Sequence, residues 1–267
     1  TKISQKELIG TLNTVIFCPE DLQLIKGTPS GRRRFLDMEI SQTSATYYYQ
    51  LMQYNRLLQQ RNAVLKEYRG KNTIPLEEWD LQLADMASFI VKKRLESLKK
   101  INLLIDLMNR KLTGGLENLT IGYEQPYMDN GSLEYTKEGF YERIKAALPQ
   151  DRHRLSTSVG PHRDDLRFFS DAMDLKKFGS QGQQRTAVLS LKLSELEFIK
   201  SEVGEYPVLL LDDVLSELDE SRRVNLLQFI HKRIQTFITT TDIHDFKDLK
   251  SVQFISCEGG QVQYGQP

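Results

Sequence analysis

The aliphatic run Val208-Leu209-Leu210-Leu211, bounded by Pro207 and Asp212, constrains the fold more than any other stretch. It has no alternation of polar and apolar residues. It therefore predicts a central strand covered on both faces, as in a parallel α/β sheet. In open α/β sheets, ligands bind beyond the carboxyl ends of the strands. Two acids, Asp212 and Asp213, stand at that end. An aspartate in such a place can hold Mg²⁺ beside a phosphate, and a second acid can orient or deprotonate an attacking water. An aspartate-rich turn without a ligand fits the same residues.

Upstream, Ser180-Gln181-Gly182-Gln183 has the form S-x-x-Q and opens a helix whose stripe is Leu189, Leu193 and Leu196. The turn reads as a capping box. It also reads as a helix start whose backbone N–H groups suit a phosphate. The order is more specific than any piece: this turn, then the strand ending in Asp-Asp, then Leu215-Ser216-Glu217-Leu218-Asp219. It resembles the signature motif, Walker B strand and D-loop of ABC-type ATPases. The wording GSQGQQR…LLLDDVLSELD resembles the RecF family, bacterial recombination mediators related to the SMC and ABC ATPases.

Composition limits the alternatives. The 267 residues suffice for one large or two modest domains. There are 36 basic and 36 acidic residues, so nucleic-acid contact would have to come from local basic patches. Candidates are Arg32-Arg33-Arg34 and Lys92-Lys93-Arg94. Both also read as solvated helix faces. Cys18 and Cys257 are far apart, which argues against a disulfide scaffold and suits a reducing cytoplasm. The four histidines form no zinc spacing with them, and no apolar run is long enough to cross a bilayer. The phosphate-wrapping motif G-x-x-x-x-G-K-[ST] does not occur. Gly70-Lys71 lacks the upstream glycine and is followed by Asn72. The expectation is therefore a later part of a longer protein, with the P-loop lobe missing.

Along the chain, Thr14-Val15-Ile16-Phe17 reads as a strand closed by Cys18-Pro19-Glu20-Asp21, with Asp21 a helix cap. By the resemblance this is the Q-loop position, although no Gln follows Phe17, so Glu20 and Asp21 carry a site role only weakly. From about Arg32 to Tyr68 the pattern is helical, on a stripe running from Tyr47 to Tyr68. A second long helix is expected from Pro75 to Leu112. Each would be roughly 50–60 Å long, and the short turn between them predicts an antiparallel hairpin. That is too long for a compact lobe and reads as an arm, whose stripe is arm core rather than a cofactor box. Next come a strand from Leu119 to Tyr123, a helix from Thr136 to Leu148, and the segment Gly160-Pro161-His162-Arg163-Asp164-Asp165-Leu166. His-Arg-Asp is not a kinase catalytic loop, because Phe169 stands where Asn is needed and no kinase glycine loop exists. An ion pair of Arg163 with Asp164 or Asp165 and a ligand contact are both open there. A hairpin through Asp171 follows. After Asp219, itself a good cap, a helix from Val224 to Arg233 leads to a strand from Thr236 to Thr240, and Val252 to Cys257 forms a last strand.

The resemblance implies an α/β ABC-type ATPase head: a mostly parallel sheet with flanking helices and an inserted antiparallel helical-hairpin arm. Residues 1–31 would end the first lobe, 32–115 form the arm and 116–267 the second lobe. It implies ATP and Mg²⁺ as cofactors and two subunits meeting head to tail. Ser180, Gln181, Gly182 and Gln183 would then face the partner's nucleotide, with Ser180, Gly182 and Gln183 on its γ-phosphate and Asp219 in the D-loop. Asp212 would hold Mg²⁺ and Asp213 would be the base, shorter than the usual glutamate, so hydrolysis would be slow. Thr241 would take the place of the switch histidine and offer a hydrogen bond. The partners implied are double- and single-stranded DNA, RecR and RecO, in the cytoplasm and away from membranes. The alternative is a non-catalytic DNA- or partner-binding module.

Overall fold

Asp212 and Asp213 are carried by a three-stranded parallel sheet in the order β1 (Thr14–Phe17), β5 (Val208–Asp212), β6 (Thr236–Thr239). The computed structural model describes residues 10–70, 75–127, 135–241 and 252–265. β1 and β5 are sheet neighbours (Ile16 opposite Leu210) although nearly the whole helical region lies between them in sequence. That region is an insertion between two adjacent parallel strands.

The sheet is covered on one face, not two. Val15, Phe17, Leu209 and Leu211 are buried, whereas in the other row Ile16 is 52% exposed, Phe237 is 55% exposed and Leu210 is half-buried. Successive side chains alternate across a strand. The unbroken aliphatic run therefore encodes an apolar second face that no other described element fully covers.

The helical region begins with a 3₁₀ turn at Pro19–Leu22 and the short α1 (Gln23–Lys26), then α2 (Pro29–Thr43) and α3 (Ala45–Glu67). The single helix expected over Arg32 to Tyr68 is broken at Ser44, which is extended (φ −144°, ψ 98°) and whose hydroxyl accepts a hydrogen bond from the Tyr47 N–H. A serine cap at that place restarts the helix. The long α4 runs Glu77–Thr113 and stops where Gly114 turns left-handed (φ 68°) and Gly115 N–H closes onto the Arg110 carbonyl.

α3 and α4 are antiparallel: Tyr47 meets Arg94 and Arg61 meets Asp80. α4 is not a freestanding arm, however. Beyond Leu98 it lies against β2 (Leu119–Glu124), where Asn102 brackets the Ile121 backbone, and against α8 (Gln181–Val203), where Ser190 bonds Asn109. Ala84, Ala87, Ile90, Val91, Ile101 and Ile105 are all fully buried, so apolar residues surround too much of the helix for a two-helix rod.

α5 (Lys137–Ala146), capped by Thr136, packs on α4, and α6 (Leu148–Arg154) follows, so the one helix expected over Thr136 to Leu148 is shorter. β3 (Asp165–Ser170) pairs antiparallel with β2 and, through a turn at Asp171-Ala172 with both φ positive, with β4 (Met173–Asp174). The one-turn α7 (Leu175–Phe178) leads into α8. α9 (Glu220–Ile230) starts earlier than the apolar pattern indicated, because Asp219 caps it. A two-stranded unit, β7 (Ile255–Glu258) with β8 (Gln261–Tyr264), closes the chain. No helix among the described residues is long and apolar enough to cross a membrane.

Candidate functional site

At the end of β5, Asp212 and Asp213 are both exposed. Asp212 Oδ1 accepts a 2.6 Å hydrogen bond from Thr239 Oγ1, and the two residues are register partners across the parallel pair. Asp213 adopts left-handed backbone (φ 52°, ψ 23°), and its N–H points at the Thr239 carbonyl (3.3 Å) and hydroxyl (3.1 Å). The chain thus turns sharply at Asp213, leaving the two carboxylates at the carboxyl end of the central strand. Buried Val214, Leu215 and Leu218 anchor the turn that follows. Asp219 then accepts the Arg222 N–H (2.9 Å) and pairs with the Arg222 guanidinium. The first of these contacts, helped by the second, holds its carboxyl below the usual range. Thr241 is exposed two residues beyond β6, and Asp242 lies outside the described residues. Thr239 was not among the expected site residues. Its signal, the pairing of β6 beside β5, exists only in three dimensions.

The turn before α8 is a capping box in both directions. Ser180 Oγ accepts the Gln183 N–H (3.2 Å), and Gln183 Oε1 accepts the Ser180 N–H (3.0 Å). Gln181 and Gly182 lie exposed at the helix start. Gly179 has to be glycine: a Cβ there would sit 2.7 Å from the Leu175 carbonyl oxygen. The capping and anion-site readings are compatible, because an accepting hydroxyl keeps its own proton to donate.

Phe17, Cys18, Pro19 and Leu22 share one pocket with Arg185 and Val188 of α8 and with Val214 and Leu218 of the turn after Asp213. The β1 exit, the signature-like helix and the D-loop-like turn therefore touch. A buried ionic cluster lies between two of them. Lys192 of α8 pairs with Asp21 (3.2 Å) and Glu195 (3.4 Å). Burial opposes the Lys192 charge, but Glu195, Asp21 and Glu39 outweigh it and raise its pKa. Burial also pushes Glu39 up to about 7 against the pull of Lys192. Asp21 is not the helix cap expected: Cys18 holds the cap position, and Asp21, three residues into the 3₁₀ turn, reaches back to accept the Cys18 N–H at 2.9 Å.

The basic triplets separate on inspection. Arg32 is 3% exposed and forks onto Asp165 (2.7 and 2.8 Å) while also donating to the Gly27 carbonyl. Arg94 is 2% exposed and forks onto Asp37 (2.9 Å twice), with Asp164 at 3.5 Å and the Pro161 carbonyl at 2.7 Å. Neither can meet DNA. Their helix faces turn inward, and a buried guanidinium needs such partners. Arg33 is half-buried and donates to the Asp164 carbonyl (2.7 Å), and Lys93 pairs with Glu96 (2.7 Å). Arg34 and Lys92 are exposed. The GPHRDDL segment is ion-paired, but not within itself. Asp164 and Asp165 answer Arg94 and Arg32, while Arg163 donates to the Thr157 carbonyl.

No group of three His, Cys, Asp or Glu among the described residues could cage a metal ion. Mg²⁺ does not need such a cage, because it commonly takes one or two carboxylates together with substrate phosphates. Asp212, exposed and oriented by Thr239, fits that demand.

No family model matches the chain. It is 50% identical over 250 residues to the DNA replication and repair protein RecF of Alkaliphilus oremlandii, an alignment covering 93% of this chain and 68% of that protein. The chain belongs to the RecF family. The RecF of Halothermothrix orenii is 47% identical over 251 residues, covering 92% of this chain and 67% of its own length. Two solved structures of the recombination mediator protein RecF in the RecFOR pathway are each 37% identical to it. The one described as RecF-ATP superposes with a TM-score of 0.88 over 99% of this chain, and the one described as RecF-ATPrS with 0.87 over 98%. Each alignment covers 70% of the solved chain. The fold is thus a RecF fold, with the chain spanning roughly two thirds of the family's length.

Proposed function

We propose that this chain is the signature-bearing portion of a RecF recombination mediator. Joined to its P-loop lobe, it acts as an ATP-gated, DNA-binding clamp of the ABC type. The observation that carries the reading is the end of β5. There two exposed carboxylates, one oriented by a hydroxyl from the neighbouring parallel strand, lie in a chain half identical to a RecF protein. Asp212 holds Mg²⁺, which neutralises charge on the transferred phosphoryl group. Asp213 orients and accepts a proton from the attacking water, and Thr241 contributes a hydrogen bond. Ser180, with the backbone at Gln181 and Gly182, receives the γ-phosphate of the partner subunit's ATP, and Asp219 borders the same interface. Because Asp213 is shorter than a glutamate, hydrolysis is slow and serves as a release switch. The clamp closes on DNA where single and double strands meet, working with RecO and RecR so that RecA loads, in the cytoplasm. Exposed Arg34 and Lys92 remain from the basic triplets as phosphate contacts.

The test is molecular mass by light scattering, with and without ATP-Mg²⁺. It uses the chain completed with the third of the Alkaliphilus oremlandii relative that it does not span. A dimer only with ATP-Mg²⁺, lost in Ser180→Arg, is the expected result. A monomer throughout, with ATP bound, removes the clamp. A Ser180→Arg variant that still dimerises removes the trans-acting signature.

A further inference from the structure

Gln183 was expected to touch phosphate, yet both ends of its amide are already engaged. Its Oε1 accepts the Ser180 N–H at 3.0 Å, and its Nε2 donates to Glu117 Oε1 at 3.1 Å. Glu117 is 66 residues away in sequence, in the link between α4 and β2. Its other oxygen accepts a hydrogen bond from Ser170 Oγ (3.2 Å), a buried residue at the end of β3. Its carbonyl accepts Asn109 Nδ2 (3.0 Å), and Asn109 in turn accepts the hydroxyl of Ser190 on α8. The neighbouring Asn118 carbonyl takes the Asp171 N–H, and Leu119 and Ser170 are strand partners. The carboxylate is therefore fixed at both oxygens on a sheet end rather than on a free loop.

We propose that Glu117 is a positioning residue for the signature turn. It fixes the orientation of the Gln183 amide, so that Ser180 presents its hydroxyl proton and the adjoining N–H groups to an incoming γ-phosphate. An amide can rotate by half a turn and exchange its oxygen for its NH₂. With NH₂ facing the Ser180 N–H, two donors would oppose each other and the capping box would open. A carboxylate accepts only, so its contact with Nε2 excludes that rotamer. The same contact occupies one of the two Nε2 protons and holds the amide in the cap, so the phosphate falls to Ser180 and the backbone. A carboxylate behind a helix N-terminus works against anion binding there, so a direct ligand role for Glu117 is excluded on charge.

The inference rests on the trans-signature reading above, and the test separates the two. In the completed protein, the ATP concentration giving half-maximal dimerisation is measured by light scattering, with thermal melting recorded in parallel. Glu117→Ala should raise that concentration about tenfold, the scale of one charge-assisted hydrogen bond. Gln183→Glu keeps an acceptor for the Ser180 N–H but sets two carboxylates face to face, and should raise it at least as much. The exchanged pair E117Q/Q183E restores donor to acceptor and should return the value to within about threefold of wild type, a coupling that a purely additive effect on stability cannot give. Ser180→Arg is the control. If it still dimerises, the trans-signature reading fails and this proposal with it. If it does not, and Glu117→Ala leaves the ATP dependence unchanged or the exchanged pair shows no rescue, the positioning role alone is overturned. Should Glu117→Ala not fold, the Gln183→Glu and exchanged-pair comparison decides by itself.

Discussion

Thr239 donates its hydroxyl proton to Asp212 at 2.6 Å, and the two are register partners on adjacent parallel strands. The same hydroxyl also receives the Asp213 N–H. One side chain thus orients the carboxylate proposed to hold Mg²⁺ and pins the sharp turn that aims its neighbour. Thr239→Val keeps the β-branched shape that suits a strand and removes both bonds. The Mg²⁺ concentration for half-maximal ATP hydrolysis in the completed protein should rise about tenfold, the scale seen when a partner of a metal ligand is lost. A change within twofold would show that Asp212 needs no such support.

Asp213 should be tested with asparagine, because its φ of 52° is a conformation that Asn tolerates and most residues do not. Asp213→Asn should retain ATP-dependent dimerisation while single-turnover hydrolysis falls at least a hundredfold, the lower bound for loss of a general base. Unchanged hydrolysis would reassign the base.

Arg94 holds Asp37 and approaches Asp164 with almost no exposure. Removing one partner of a buried ionic group leaves uncompensated charge, so Arg94→Met should lower unfolding stability in urea by about 3–5 kcal/mol. Because the side chain is inside, DNA affinity of the protein that remains folded should keep its salt dependence. Exposed Arg34 and Lys92 behave differently: R34A/K92A should leave stability nearly unchanged and reduce the salt slope of duplex binding by about one to two.

His162 supplies a pH dependence. Its Nδ1 meets Tyr54 Oη at 2.6 Å and its Nε2 meets the Thr157 carbonyl at 3.0 Å, an arrangement that suits a neutral ring protonated at Nε2. Burial, reinforced by Arg163, Arg33 and Arg94, lowers its pKa to about 4. The folded state then binds this proton less readily than the unfolded chain does. The contribution to stability is complete above the unfolded value near 6.5 and is lost as pH falls through about 4. Asp164 works in the opposite direction, since burial raises it to about 6, so the informative quantity is a difference. Wild type minus His162→Gln, followed by urea unfolding from pH 7 to pH 4, should shrink on acidification by a few kcal/mol. A difference that stays flat would place the titration elsewhere.

The sequence by itself determined the strand β5, the capping box at Ser180, the cap at Asp219, the long helix α4 and the acids at the strand end. These depend on neighbours a few residues away, through side-chain alternation, cap hydrogen bonds and helical spacing. The wording of those same segments was specific enough to carry the family. Tertiary structure decided what depends on distant partners. Arg32 and Arg94 became interior ion pairs because the acids that neutralise them lie on other elements. The arm became part of the core because β2 and α8 pack along α4. Glu117 has no local pattern, and the run Thr239-Thr240-Thr241 does not say which threonine meets Asp212. Glu117 and Thr239 each acquire their role from a hydrogen bond across the fold, and a bond a few ångströms long can join residues that no sequence spacing relates.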